Sequence, residues 1–127
     1  MKKTFLILSA MACLVICGCT TLPEANQEVN HVVLFWLKEP GSRMQCENII
    51  RASHSFTNIP GVISVRAGRS LSSNREVVDD SFDVATVIIL KDASCMDTFL
   101  AHPLHVKANN EVLVPFVRKI TVYNFTE

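Results

Sequence analysis

From residue 29 onward, apolar residues follow two periodicities that predict a regular succession of strands and helices. Alternation of apolar and polar residues predicts four strands, at residues 29–37, 62–71 (with a bulge at Gly68), 82–90 and 120–125. Helical spacing predicts a helix from an N-cap at Ser42 to about residue 56, and a helical region from Asp92 to about residue 112 that is interrupted at Pro103. The order β-α-β-β-α-β is the ferredoxin-like arrangement, an α+β fold with a four-stranded antiparallel sheet.

The first and third predicted strands are apolar on both faces. In the first strand, Val33 and Phe35 point one way, and Val32 and Leu34 point the other. Two helices cover only one face of a four-stranded sheet, so the second face needs another cover. We expect the sheet of a second copy to provide it, giving a homodimeric α/β barrel. The alternative is that residues 103–116 fold over this face within one chain.

A separate apolar run lies near the N-terminus. Lys2 and Lys3 precede twelve nearly unbroken apolar residues, 5–16. This run is too short for a helix that spans the bilayer core, which needs about 20 residues. A positive start and a short apolar run are typical of a secretory signal peptide. The following Ile16-Cys17-Gly18-Cys19 resembles the bacterial lipobox, and the resemblance implies cleavage before Cys19 and lipid attachment to its thiol.

This interpretation divides the chain into a signal peptide at 1–18, a lipidated tether at 19–28 and one domain at 29–127. Lipid on Cys19 would anchor the protein in the bacterial cell envelope, at the periplasmic face of the outer membrane if the host is Gram-negative. The alternatives are an ordinary signal peptide and an uncleaved anchor helix. Cleavage would leave Cys46 and Cys95 as the only cysteines of the domain, and we expect both to be free thiols.

Composition narrows the function classes. The 127 residues are 49% hydrophobic and carry twelve basic and twelve acidic side chains, which excludes a disordered chain. Removal of residues 1–18 takes away Lys2 and Lys3, so the remainder is slightly acidic. Nucleic-acid binding is not expected, because it calls for a clustered basic excess.

Four stretches of the domain resemble the stress-responsive A/B barrel (Dabb) family. They are, in chain order, His31-Val32-Val33-Leu34-Phe35, Ile59-Pro60-Gly61-Val62 with the following Val65-Arg66-Ala67-Gly68, Phe82-Asp83-Val84-Ala85, and His102-Pro103-Leu104-His105. The resemblance spans almost the whole domain and implies a dimeric α+β barrel, in agreement with the two apolar faces of the strands.

The histidines are the candidate chemical groups. A ferredoxin-like fold returns the chain after the second helix beside the first strand, so we expect His31 and His105 to cluster at one mouth of the barrel. A neutral imidazole acts as an acid or a base near pH 7. The alternative is structural, with His102 as a hydrogen-bonding group at a helix start and His105 packed in the dimer seam.

The family resemblance also bears on catalysis. Some relatives are cofactor-free polyketide cyclases, and the resemblance implies that one of His31 and His105 positions a substrate carbonyl while the other takes a proton. Those enzymes use a tyrosine three residues before the His-Pro-x-His motif, where this chain has Phe99, which carries no hydroxyl. This departure argues against the same chemistry here.

We therefore expect a small apolar or amphipathic molecule to bind in the barrel, without a metal or a cofactor. The predicted ligand-binding residues are Phe35, Phe99, His102 and Arg66, with Arg66 suited to an anionic group unless it only solvates an edge strand. Two other hypotheses stay open: a cofactor-free enzyme, cyclase-like or monooxygenase-like, that uses His31 and His105, and a stress-protective structural protein without a ligand.

Overall fold

A computed structural model of the chain describes residues 27–127. The predicted signal peptide, Cys19 and most of the tether lie outside the described residues. The elements follow the predicted order: β1 Val29–Leu37, α1 Arg43–Ser55, a 3-10 turn Phe56–Asn58, β2 Val62–Arg69, β3 Val84–Leu90, α2 Cys95–Ala101, α3 Pro103–Ala108, a π-helical turn Asn109–Leu113, α4 Val114–Phe116 and β4 Val117–Thr126. No helix within residues 27–127 is long and apolar enough to cross a membrane.

The four strands form one antiparallel sheet in the order β2-β3-β1-β4. This confirms the ferredoxin-like α+β prediction. The predicted bulge at Gly68 is wrong, because Gly68 pairs regularly with Ala85 and the irregularity in β2 lies between Val62 and Ser64. Strand β4 begins at Val117, three residues before the predicted start, because the chain leaves α4 directly into pairing with Leu37 of β1.

All the helical segments lie on one face of the sheet, which we call the inner face. Side chains of β1 and β3 on this face, including Phe35, Leu37 and Val84, form a buried cluster with Cys46 and Ile49 of α1. Three residues from the predicted 103–116 segment pack against the same cluster: Val112, Leu113 and Phe116. This segment therefore covers the inner face, and it does not fold over the second face of the sheet.

The opposite, outer face of the sheet has no such cover among residues 27–127. Its two central strands present half-buried apolar side chains, with Val32 directly opposite Val87. On β4, Tyr123 and Phe125 are 57% and 51% exposed. One corner is the exception, where Phe82 and the Lys119 ammonium pack on the Trp36 ring. The outer face is thus a largely uncovered apolar surface.

Asp83, the residue before β3, fixes the end of β1 through hydrogen bonds. Its two carboxylate oxygens accept hydrogen bonds from the backbone N–H groups of Leu37 (2.8 Å) and Gly41 (2.6 Å). Its own N–H donates to the Phe35 carbonyl at 2.9 Å. A charged acceptor with two backbone donors fixes the turn from β1 into α1, which sets the position of α1 over the inner face.

Cys46 and Cys95 are both free, as predicted. Cys46 is buried in the α1 cluster, and burial raises the pKa of its thiol. Cys95 lies at the start of α2 against the turn at Gly61, where the glycine has φ +88°. The two thiols therefore act as small apolar groups in the packing.

Candidate functional site

A cavity of about 180 Å³ lies between the inner face of the sheet and the helices. Most of its wall is apolar, formed by Val33, Phe35, Phe56, Ile88, Leu100, Leu113, Ile120 and Val122. The polar side chains in the wall are His31, Ser53, Thr86, His105 and Asn109. None of the described residues that line it is a lysine, arginine, aspartate or glutamate, so the cavity suits an uncharged and mainly apolar molecule.

His31 contributes a fixed imidazole to this wall. Alternation along β1 places it on the inner face with Val33 and Phe35, and it is 6% exposed. Its Nδ1 lies 2.7 Å from the side-chain oxygen of Asn124 on β4, in the directly opposite register position. An amide oxygen only accepts, so Nδ1 carries the proton and Nε2 is the free lone pair of the neutral ring.

His105 faces the same cavity from α3. Its Nδ1 donates to the Leu100 carbonyl at 3.1 Å, which again leaves Nε2 free in the neutral ring. The ring packs against Phe99 and Phe56, with centroids 4.9 Å and 5.4 Å away. Burial and the nearby His31 ring lower the pKa of His105, while the hydrogen bond to Leu100 opposes them. His105 is therefore mainly neutral at pH 7.

The lowered pKa of His105 predicts a pH dependence of stability. The unfolded chain takes up a proton as the pH falls through about 6.5, whereas the folded protein resists until the pH reaches the lower folded pKa. The stability of the wild type relative to His105→Gln should thus be fully present above about pH 6.5, decrease as the pH falls from there toward the folded pKa, and level off below it. Urea unfolding at about pH 8 and about pH 5 measures the difference. His54→Gln, at an exposed position on α1, is the control, and a difference that grows toward acid would contradict the assignment.

The structure brings some predicted site residues together and separates others. His31, His105 and Phe35 line one cavity. This cavity lies within one chain and beneath its helices, not at a barrel mouth, because His31 shares the helix-covered face with Phe35. Phe99 is fully buried behind the cavity, with its ring 5.8 Å from that of His31.

His102 and Arg66 have other positions. The Nδ1 atom of His102 accepts from the Leu104 N–H at 3.2 Å and caps the start of α3. This is the structural alternative considered for it. Arg66 is exposed on β2 opposite Val87, and so it lies on the outer face, away from the cavity. Neither residue is part of the cavity wall.

Sequence reasoning missed Ser53, Thr86, Asn109 and Asn124. Ser53 interrupts the apolar stripe of α1, and Thr86 interrupts the apolar side of β3. A polar residue on an otherwise apolar face is the signal that would have singled these two out. Asn124 carries no such signal, because its partner His31 is 93 positions away.

Among residues 27–127, no group of three histidine, cysteine or acidic side chains is placed to hold a metal ion.

Solved structures resemble this chain in fold. A hydroxynitrile lyase from Passiflora edulis superimposes with a TM-score of 0.68 and 24% identity, over 80% of this chain and 94% of that one. A dimeric ferredoxin-like protein of unknown function from Thermobifida fusca gives 0.66 and 20%, over 80% and 92%. A cofactor-independent oxygenase from Streptomyces nogalater gives 0.59 and 15%, over 79% and 92%. At such identities the likeness concerns the fold alone.

No curated protein sequence matches this chain. The match to a family model is more specific than the structural likenesses. It covers residues 29–127, which is the whole predicted domain. The four stretches quoted from the sequence all fall within that range. The chain belongs to the family of the stress responsive A/B barrel domain, Dabb.

Proposed function

We propose that this protein binds a small, uncharged and mainly apolar molecule in the cavity beneath its helices. The observation that carries the proposal is the cavity wall, in which two imidazoles with free Nε2 atoms stand among apolar side chains. A few polar groups in an apolar pocket are typical of small-molecule sites. Leu100, Ile120 and Val122 line the cavity and are between 42% and 45% exposed, which favours access from solvent at that side.

Filling the exposed side of the cavity should weaken ligand binding. Val122→Phe adds a ring at a residue that lines the cavity and is 45% exposed. Val106→Phe is a matched control, because Val106 is also 45% exposed but is not part of the wall. We expect binding of a neutral probe such as cyclohexanol, followed by ligand-detected NMR, to fall at least about tenfold in Val122→Phe and to stay unchanged in Val106→Phe. Equal binding to both variants would rule out this cavity.

A cofactor-free enzyme is the second candidate. Its support is specific: each of His31 and His105 has one nitrogen held and the other free in the same cavity, an arrangement suited to proton transfer. Two proteins of similar fold are named as a hydroxynitrile lyase and a cofactor-independent oxygenase. Phe99 argues against cyclase activity, because it lacks the hydroxyl of the tyrosine that the cyclases use. Turnover that disappears in His105→Gln while ligand binding persists would favour the enzyme over a binding protein, and binding of no ligand would favour a stress-protective structural role.

We further propose that the protein is a homodimer whose outer sheet faces pack together as a barrel. The support is the apolar outer face, which residues 103–116 leave uncovered. The similar protein from Thermobifida fusca is described as dimeric. An antiparallel sheet that is apolar on both faces needs a partner for the second face.

The lipid anchor on Cys19 is a separate proposal, and its support is the lipobox-like Ile16-Cys17-Gly18-Cys19 after a short apolar run. It places the protein in the bacterial envelope, on the periplasmic face of the outer membrane in a Gram-negative host. Cys19→Ser should abolish palmitate labelling in cells, because only this thiol would carry the lipid. Cys13→Ser is the control and should label normally. Labelling that survives Cys19→Ser would refute the anchor.

A further inference from the structure

The hydroxyl protons of Ser53 and Thr86, two residues of the cavity wall, each have a defined hydrogen-bond acceptor. The Ser53 hydroxyl donates to the Ile49 carbonyl at 2.8 Å, since a carbonyl only accepts. Ser53 has one proton, so its second hydrogen bond, to Thr86 at 3.1 Å, is one in which Thr86 donates and Ser53 accepts. Thr86 is 1% exposed and lies in the cavity wall. Its only hydroxyl proton therefore points away from a bound molecule, and it offers that molecule lone pairs alone.

The two histidines of the cavity wall, like Thr86, offer a bound molecule lone pairs and no proton, because their N–H groups are already hydrogen-bonded. The Nδ1 protons of His31 and His105 go to Asn124 and to the Leu100 carbonyl. Among the described residues, the single buried side-chain polar atom without a partner is the Gln45 Oε1. The free Nε2 atoms are consequently not sealed in the core, and in the neutral rings both are acceptors. Asn109 has an amide that donates, but it lies at the exposed rim, where water competes for it.

We infer that the inner wall of the cavity presents hydrogen-bond acceptors only, and that it selects a neutral ligand bearing a hydroxyl or N–H donor over an analogue that only accepts. This inference rests on the proposed binding function and specifies its ligand class as alcohols, phenols and similar donors. A ketone in the same place would set its oxygen against lone pairs and leave buried groups unpaired. Sites built to hydrogen-bond a hydroxyl discriminate strongly against analogues that lack it.

A pair of probes of equal size tests the selection. Cyclohexanol and cyclohexanone have the same number of heavy atoms, but only the alcohol donates. We expect the purified protein to bind cyclohexanol about tenfold more tightly or better at about pH 8, measured by ligand-detected NMR titration. Equal affinities, or tighter binding of the ketone, would overturn the inference and leave the proposed function standing. Binding of neither probe would overturn both.

Substitutions in the hydroxyl pair give the sharper test. Ser53→Ala removes the acceptor of the Thr86 proton, so this proton becomes free to turn into the cavity. The affinity for cyclohexanone should then rise severalfold and the preference for the alcohol should narrow. A gain of affinity cannot arise from misfolding. An unchanged preference in Ser53→Ala would count against the inference.

Thr86→Val keeps the size of the side chain and removes its lone pairs. It should weaken cyclohexanol binding severalfold and leave cyclohexanone binding unchanged. Thr98→Val, at an exposed position of α2, is the matched control and should change neither affinity. If Thr86→Val instead weakened the binding of the ketone, Thr86 would be a donor to the ligand and the inference would be wrong.

Discussion

Val32→Glu is expected to dissociate the protein into monomers. Val32 lies near the centre of the outer face, where it is directly opposite Val87 on β3 and Tyr123 on β4. Neither of these neighbours carries a charge that would compensate the new carboxylate. In the proposed dimer each protomer would bring one buried carboxylate, and an unpaired buried ion costs several kcal/mol. The dissociation constant should therefore rise by at least about a hundredfold.

The measurement is the molar mass in solution by light scattering. Wild type should show the mass of two chains and Val32→Glu that of one, with similar circular dichroism, because the position is only half-buried in the monomer. Val77→Glu introduces the same charge at a residue that is 82% exposed in the β2–β3 loop, and it should remain dimeric. A wild-type protein with the mass of one chain, or a Val32→Glu dimer of wild-type strength, would disprove the proposed interface.

Gly61→Ala is expected to lower the free energy of unfolding more than Gly41→Ala, the other glycine substitution considered. Gly61 has φ +88°, a left-handed conformation that costs a residue with a side chain about 1–2 kcal/mol. A Cβ atom there would also lie 2.7 Å from the Sγ and 3.0 Å from the Cβ of Cys95. Overpacking of this kind costs about 1–3 kcal/mol. Together the two effects should lower the free energy of unfolding by about 2–5 kcal/mol.

Gly41→Ala separates strain from collision. Gly41 has φ +76°, but a Cβ atom there would meet nothing within 4 Å. This variant should therefore lose only the strain energy, about 1–2 kcal/mol, in urea unfolding. Adding Cys95→Ala to Gly61→Ala should recover part of the collision cost, because the Sγ atom is removed. Equal losses in the two glycine variants would show that Cys95 does not resist the new side chain.

The part of the fold that depends on local pattern could be predicted closely. The bounds of β1 and the shared face of His31 and Phe35 follow from strict alternation, and a slip of one residue would move both side chains to the other face. The bulge was placed at the wrong residue because Gly68 reads as a weak point in isolation, whereas the pairing with β3 keeps it regular. The early start of β4 depends on its partner Leu37 and on no feature of residues 117–119 themselves.

The site was only half predictable. Motif and topology brought His31 and His105 into one group, and both residues line one cavity, although it lies beneath the helices and not at a barrel mouth. Phe99 and His102 belong to the same stretch of chain, but one packs behind the histidines and the other caps α3. This difference depends on where each helix ends and on how it is rotated about its axis. Residue spacing predicts helix ends only to within one or two positions.

By itself, the sequence determined the order of elements and which side chains of the central strands share a face, because these depend on periodicity within single segments. The candidate histidines came from the family resemblance. Only the tertiary structure decided which face the 103–116 segment covers and where the cavity lies. It also decided the proton positions, since Ser53 meets Thr86 across 33 residues and His31 meets Asn124 across 93. Hydrogen bonds between distant elements depend on register and packing, which no local pattern encodes.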